Sequence, residues 1–97
     1  MIRHTVVFTL KGPKASPEEH DFFRAVTKLA SIPGVQKFEC LKQISAKNDF
    51  DYGLSMEFDN ARLYANYTNH PDHVYLVQAY WIKYVKAFLE IDYEPLS

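Results

Sequence analysis

From its second residue the chain alternates. Ile2, His4, Val6, Phe8 and Leu10 fall on one side of an extended segment, and Arg3, Thr5, Val7, Thr9 and Lys11 on the other. This period of two, rich in β-branched residues, predicts a strand over 2–11 with one buried face. It also places a histidine, His4, in an apolar row. A sheet buries such a face only against a second layer, so the segments that follow decide the architecture.

Gly12-Pro13 breaks the strand. Ser16-Pro17-Glu18-Glu19 then supplies an N-cap serine, a proline at the first helical position and a glutamate at the third, a capping box. Phe22, Val26 and Leu29, with Phe23 and Ala30 beside them, predict a helix over 17–31 that Pro33-Gly34 ends. Residues 35–45 predict a second strand with Phe38, Cys40 and Ile44 on one side and Leu41 out of phase. After a turn at Lys47-Asn48-Asp49, residues 51–59 predict a third, with Tyr52, Leu54, Met56 and Phe58 facing one way; the two runs make a hairpin. Asp59-Asn60 caps a second helix that carries Leu63, Tyr64 and Tyr67 and runs into Asn69-His70. Pro71 opens a short third helix with His73, Val77, Tyr80, Trp81 and Tyr84 on its inner face. The last strand, 85–93, puts Val85, Ala87, Leu89, Ile91 and Tyr93 on one face and Phe88, Glu90 and Asp92 on the other.

The order β-α-β-β-α-β predicts an α+β, ferredoxin-like fold: an antiparallel four-stranded sheet with helices on one face. All 97 residues form one domain with a modest core. The other sheet face is mixed, Val7, Leu41 and Phe88 standing among Thr5, Lys37, Glu39 and Glu57. A partner sheet would cover it, so a homodimer closed as a dimeric α/β barrel is expected.

Composition narrows the function classes. Eleven Lys+Arg against twelve Asp+Glu give a formal net charge of −1, and no basic run interleaves with aromatics, so nucleic acid is not an expected partner. No apolar stretch approaches a membrane span. The strand pattern begins at once, leaving no recognisable signal peptide. The single cysteine, Cys40, allows no intramolecular disulfide and fits the reducing cytoplasm.

Two of the four histidines lie in YTNHPDH, residues 67–73. A tetrahedral metal site needs three or four ligands, and His70 and His73 have only Asp72 nearby, so no zinc site is expected. The residues alone leave His73 open between a backbone hydrogen bond at a helix start, ligand binding and proton transfer. His70 reads as a cap of the turn. His4 is either a satisfied core histidine or a pocket residue, and Tyr67 either a core phenol or a donor. His4, Tyr67 and His73 come from three elements that this topology can bring to one cavity between sheet and helices.

The segments IRHTVVFTLK, IPGVQKFECLK, YGLSMEF and NHPDHVYLV, the last containing HPxHV, together resemble the Dabb family of stress-responsive dimeric α/β-barrel domains over nearly the whole chain. Within that family the sequence is similar to plant polyketide cyclases. The resemblance implies a catalytic Tyr67 and His73, a pocket histidine at His4, and Asp92 supporting the catalytic histidine. Some plant members bind Mg²⁺ through carbonyl oxygens, here those of Leu29, Ile32 and Val35; no other cofactor is implied. An aldol cyclisation needs a base for an acidic C–H, which neutral imidazole supplies, and a donor for the developing oxyanion, which a phenol supplies. A carboxylate on the far ring nitrogen would fix the tautomer. On simple alternation Asp92 lies opposite Leu89, Ile91 and Tyr93, so it reaches the cleft only if the strand end twists or bulges. Three functions remain open: a small-molecule binder, a cofactor-free cyclase-like enzyme, and a structural dimer without ligand.

Overall fold

The structure, a computed structural model, describes all 97 residues. The strands are β1 (Ile2–Leu10), β2 (Gln36–Lys42), β3 (Tyr52–Phe58) and β4 (Val85–Tyr93). They form one antiparallel sheet in the order β2-β3-β1-β4. The helices α1 (Pro17–Thr27), α2 (Ala61–Asn69) and α3 (Pro71–Leu76) cover one face. The ferredoxin-like α+β architecture is the one the element order predicts. No helix is long and apolar enough to cross a membrane.

The local signals act as their chemistry requires. Ser16 caps α1 by accepting from the Glu19 N–H, with Pro17 at the first position. Asn60 caps α2 by accepting from the Leu63 N–H. His70 caps α3, its Nδ1 accepting from the Asp72 N–H at 3.1 Å. The predicted 17–31 helix is α-helical only to Thr27 and tightens into a 3₁₀ turn over Lys28–Ser31. Gly34 then leaves at φ +94°, a conformation that L side chains rarely adopt, and a Cβ there would lie 3.3 Å from Leu63 Cβ. After α3 the backbone widens into a π turn over Val77–Trp81 before a last helical turn, Ile82–Tyr84. Leu76 and Val77, on either side of the start of that turn, line the same cavity.

The inner sheet face is set by cross-strand rows. His4 pairs with Met56 and Asp92, Val6 with Leu54 and Glu90, and Phe8 with Tyr52 and Phe88. These rows meet Phe22, Val26 and Leu29 of the first helical segment and Tyr67 and Leu76 of the second. Phe8, Phe22 and Phe58 are wholly buried.

Two sequence expectations are corrected. β2 ends at Lys42, leaving Ile44 outside the sheet and almost fully exposed. Lys37 takes φ +50° where the β2–β3 register shifts between Gln36 and Glu39. In β4 the faces are the reverse of the simple reading. Leu10 pairs with Val85, but Thr9 pairs with Ala87, so Lys86 is an extra residue in the ladder. Val85 is therefore buried, while from Ala87 onward the phase is inverted. Phe88, Glu90 and Asp92 face the helices; Leu89, Ile91 and Tyr93 face outward and are exposed. The outer face carries the row Leu41–Gly53–Val7–Leu89 across all four strands.

Candidate functional site

β1 places His4 on the inner face, where its residue is 5% exposed. The alternation that makes β1 amphipathic thus buries an imidazole among aliphatic and aromatic side chains, and burial of a polar ring requires partners. Asp92 is one: its Oδ1 lies 2.6 Å from His4 Nδ1. The β4 bulge makes this possible by putting Asp92 opposite His4 in the ladder. Tyr64, on α2, completes the group. Its hydroxyl donates to Asp92 Oδ2 at 2.8 Å, and its oxygen lies 2.9 Å from His4 Nδ1. A carboxylate only accepts, so the short contact puts the proton on His4 Nδ1 and leaves Nε2 a lone-pair acceptor.

Tyr67 lies one helical turn beyond Tyr64 and is 2% exposed. Its ring packs on Phe58, 5.1 Å between centroids, and neighbours both imidazoles, 4.6 Å from His73 and 6.1 Å from His4. Its hydroxyl makes no hydrogen bond within the chain. Burial, reinforced by the Glu90 charge, drives its pKa far above that of a free phenol, so it is a neutral donor.

His73 follows Pro71 at the start of α3. Its Nδ1–H donates to the Thr68 carbonyl at 3.0 Å, which again leaves Nε2 as an acceptor. Burial lowers its pKa, outweighing the opposing pull of that carbonyl. The ring is held neutral, the form a base needs.

His4, Tyr67 and His73 line one cavity of about 220 Å³ between sheet and helices, whose other walls include Leu54, Leu76, Trp81 and Phe88. Asp92 is brought to the site, but not as expected: its carboxylate supports His4, whereas His73 takes its orientation from Thr68. His70 and Asp72 stay in the turn.

Two residues were missed by sequence reasoning. Tyr64 had a signal, an aromatic three positions before Tyr67 on the same helix face. Glu90, which also lines the cavity, was hidden by the inverted phase of β4. The carbonyls of Leu29 and Ile32 accept from the Ile32 and Val35 N–H groups at 3.1 and 3.2 Å. No group of three His, Cys, Asp or Glu side chains is placed to hold a metal ion.

The profile of the Stress responsive A/B Barrel Domain family, Dabb, matches residues 2–95. A Dabb family protein of Mesorhizobium loti with a ferredoxin-like fold is 52% identical, with a TM-score of 0.95 over 99% of this chain and 97% of that one. A dimeric protein of unknown function from Bacteroides fragilis is 22% identical, with a TM-score of 0.72 over 96% and 94%. A hydroxynitrile lyase of Passiflora edulis is 12% identical, with a TM-score of 0.82 over 95% and 90%. No curated protein matches the sequence.

Proposed function

The chain belongs to the Dabb family, the stress responsive A/B barrel domains, and from that premise we propose that it binds a small, largely apolar molecule in the cavity between sheet and helices. The observation that carries this reading is the open space of about 220 Å³ into which His4, Tyr67 and His73 converge. A purely structural dimer would gain stability by filling that space with side chains, so the empty volume weighs against a ligand-free role. Small aromatic and alkyl ketones, titrated into the ¹⁵N-labelled protein, are expected to give saturable shifts at these three residues. Absence of any cavity response across such a set would refute the reading.

A second reading, cofactor-free proton transfer of the polyketide cyclase type, is favoured by the 2.6 Å Asp92–His4 contact. In it, His4 Nε2 removes a proton from a carbon between two carbonyls, Asp92 stabilises the resulting imidazolium, and Tyr67 donates to the enolate oxygen. The carbanion then attacks a second carbonyl of the same molecule and closes a ring, and the alkoxide so formed takes the proton back from the His4 imidazolium. His73, the neutral imidazole 4.6 Å from the Tyr67 ring, is the alternative base. The fold does not select one reaction, since a hydroxynitrile lyase also has it. Deuterium wash-in from D₂O at the central carbon of a β-dicarbonyl probe tests the step. It should be faster with the protein than without, and His4→Phe should slow it.

The chain is further proposed to act as a homodimer, through the outer face that exposes Leu41, Leu89, Ile91 and Tyr93. The Bacteroides fragilis protein of the same fold is dimeric. Residence in the cytoplasm is proposed on the single exposed cysteine, Cys40, and fractionation of cells expressing the tagged chain would test it.

A further inference from the structure

The cavity is chemically one-sided. Nine of its twelve lining residues are hydrophobic, and the other three are His4, His73 and Glu90; no lysine or arginine reaches it. The two imidazoles present Nε2 lone pairs, because each Nδ1 is committed to Asp92 or Thr68. Glu90 sits beside Val6 on the inner face and forms neither an ion pair nor a hydrogen bond within the chain. Its charge is felt inside, acting on both Tyr67 and His73. Asp92 stands against His4, so no unpaired cationic side chain lines the cavity. Against these acceptors the lining sets two donors without a partner in the chain, the Tyr67 hydroxyl and the Trp81 indole N–H.

We propose that the cavity selects a small amine in its ammonium form, with the cationic head at Glu90 and the apolar body between Leu76, Trp81 and Phe88. The proposal rests on the cavity-binding reading above. An ammonium has three N–H donors and no acceptor, matching the two Nε2 atoms and the Glu90 carboxylate. The Trp81 and Phe88 rings, 5.5 Å apart in an edge-to-face pair, offer an aromatic wall that tolerates a neighbouring cation. A carboxylate ligand would meet like charge and opposed lone pairs. A neutral alcohol would fit the same space without the ionic contact.

Three probes of one shape separate these cases: benzylamine, benzyl alcohol and benzoate, titrated at neutral pH into the full chain by calorimetry, with NMR shifts locating the site. Benzylamine should bind roughly tenfold tighter than benzyl alcohol, about 1.4 kcal/mol, and benzoate weakest. Glu90 is exposed, so Glu90→Gln should fold normally and bring benzylamine down to the level of benzyl alcohol measured in the same variant. Glu90→Lys should reverse the order in favour of benzoate. If benzyl alcohol binds in the cavity but benzylamine gains nothing over it, or keeps its advantage in Glu90→Gln, the amine proposal fails while the cavity-binding reading stands. If none of the three perturbs the cavity, both fail.

Discussion

Two tyrosines three residues apart on α2 should respond in opposite ways to the loss of one oxygen. Tyr67→Phe removes a hydroxyl that has no partner in the chain and lies at the cavity wall. A hydrogen-bonded hydroxyl contributes about 0.5–1.5 kcal/mol, whereas an unpaired one in an apolar environment costs about 1–3 kcal/mol. Solvent entering the cavity lowers that penalty, so Tyr67→Phe should range from neutral to about 1 kcal/mol more stable. Tyr64→Phe removes the donor to Asp92 Oδ2 and a contact with His4 Nδ1. Bonds to charged groups contribute about 1.5–3 kcal/mol. The Asp92 side chain is 40% exposed, so screening reduces the expected loss to about 1 kcal/mol. With a urea m-value of about 2 kcal/mol/M, the gap of about 1–2 kcal/mol should separate the two midpoints by roughly 0.5–1 M. Equilibrium urea unfolding, followed by the fluorescence of Trp81, measures this. In the same variants, binding of a carbonyl probe should fall about fivefold for Tyr67→Phe, the equivalent of one hydrogen bond of about 1 kcal/mol. If Tyr67→Phe is destabilised as much as Tyr64→Phe, the Tyr67 hydroxyl is a structural donor and the site loses its oxyanion group.

Because burial lowers the His73 pKa below the ordinary imidazole value of 6.5, the unfolded chain binds more protons there than the folded one. Stability should therefore fall as pH drops below about 6.5 towards the folded value. His73→Phe should flatten that part of the profile in pH-dependent urea unfolding, and an unchanged slope would assign it elsewhere. Gly34→Ala, at φ +94° and against Leu63, should cost about 1–2 kcal/mol, read as a lower thermal midpoint. Leu89→Lys places a charge in the outer apolar row and should give a monomer in sedimentation velocity at micromolar concentration; a persisting dimer would move the interface elsewhere.

The fold was legible because its punctuation is local. Ser16, Asn60 and Pro71 each announce a helix by chemistry confined to one turn, and the β1 and β3 alternations need no partner to be read. Leu89, Ile91 and Tyr93 misled for a physical reason: in β4 the outward positions are more apolar than the inward Glu90 and Asp92, so hydrophobicity points to the wrong face. The answer lay in the extra Lys86, a ladder irregularity with no composition signal of its own. That error carried Glu90 out of view and turned Asp92 into an apparent difficulty. The pairing of Asp92 with His4 is set by register over a sequence separation of 88 residues. A histidine-to-histidine comparison of local motifs does not contain that information, and so the carboxylate was attached to His73.

The bulge at Lys86 makes β4 two interleaved texts. Even positions from 88 to 92 speak to the cavity, and odd positions from 89 to 93 to the outer face. Substitutions can therefore retune ligand chemistry at Glu90 without disturbing the apolar exterior at Leu89 and Ile91, and the reverse. Changes of length act differently according to where they fall. Lys86 stands outside the ladder, so removing it would leave the pairs from Thr9–Ala87 to His4–Asp92 in register. One residue inserted after Phe88 would instead turn Leu89 and Ile91 towards the helices and expel Asp92 from His4.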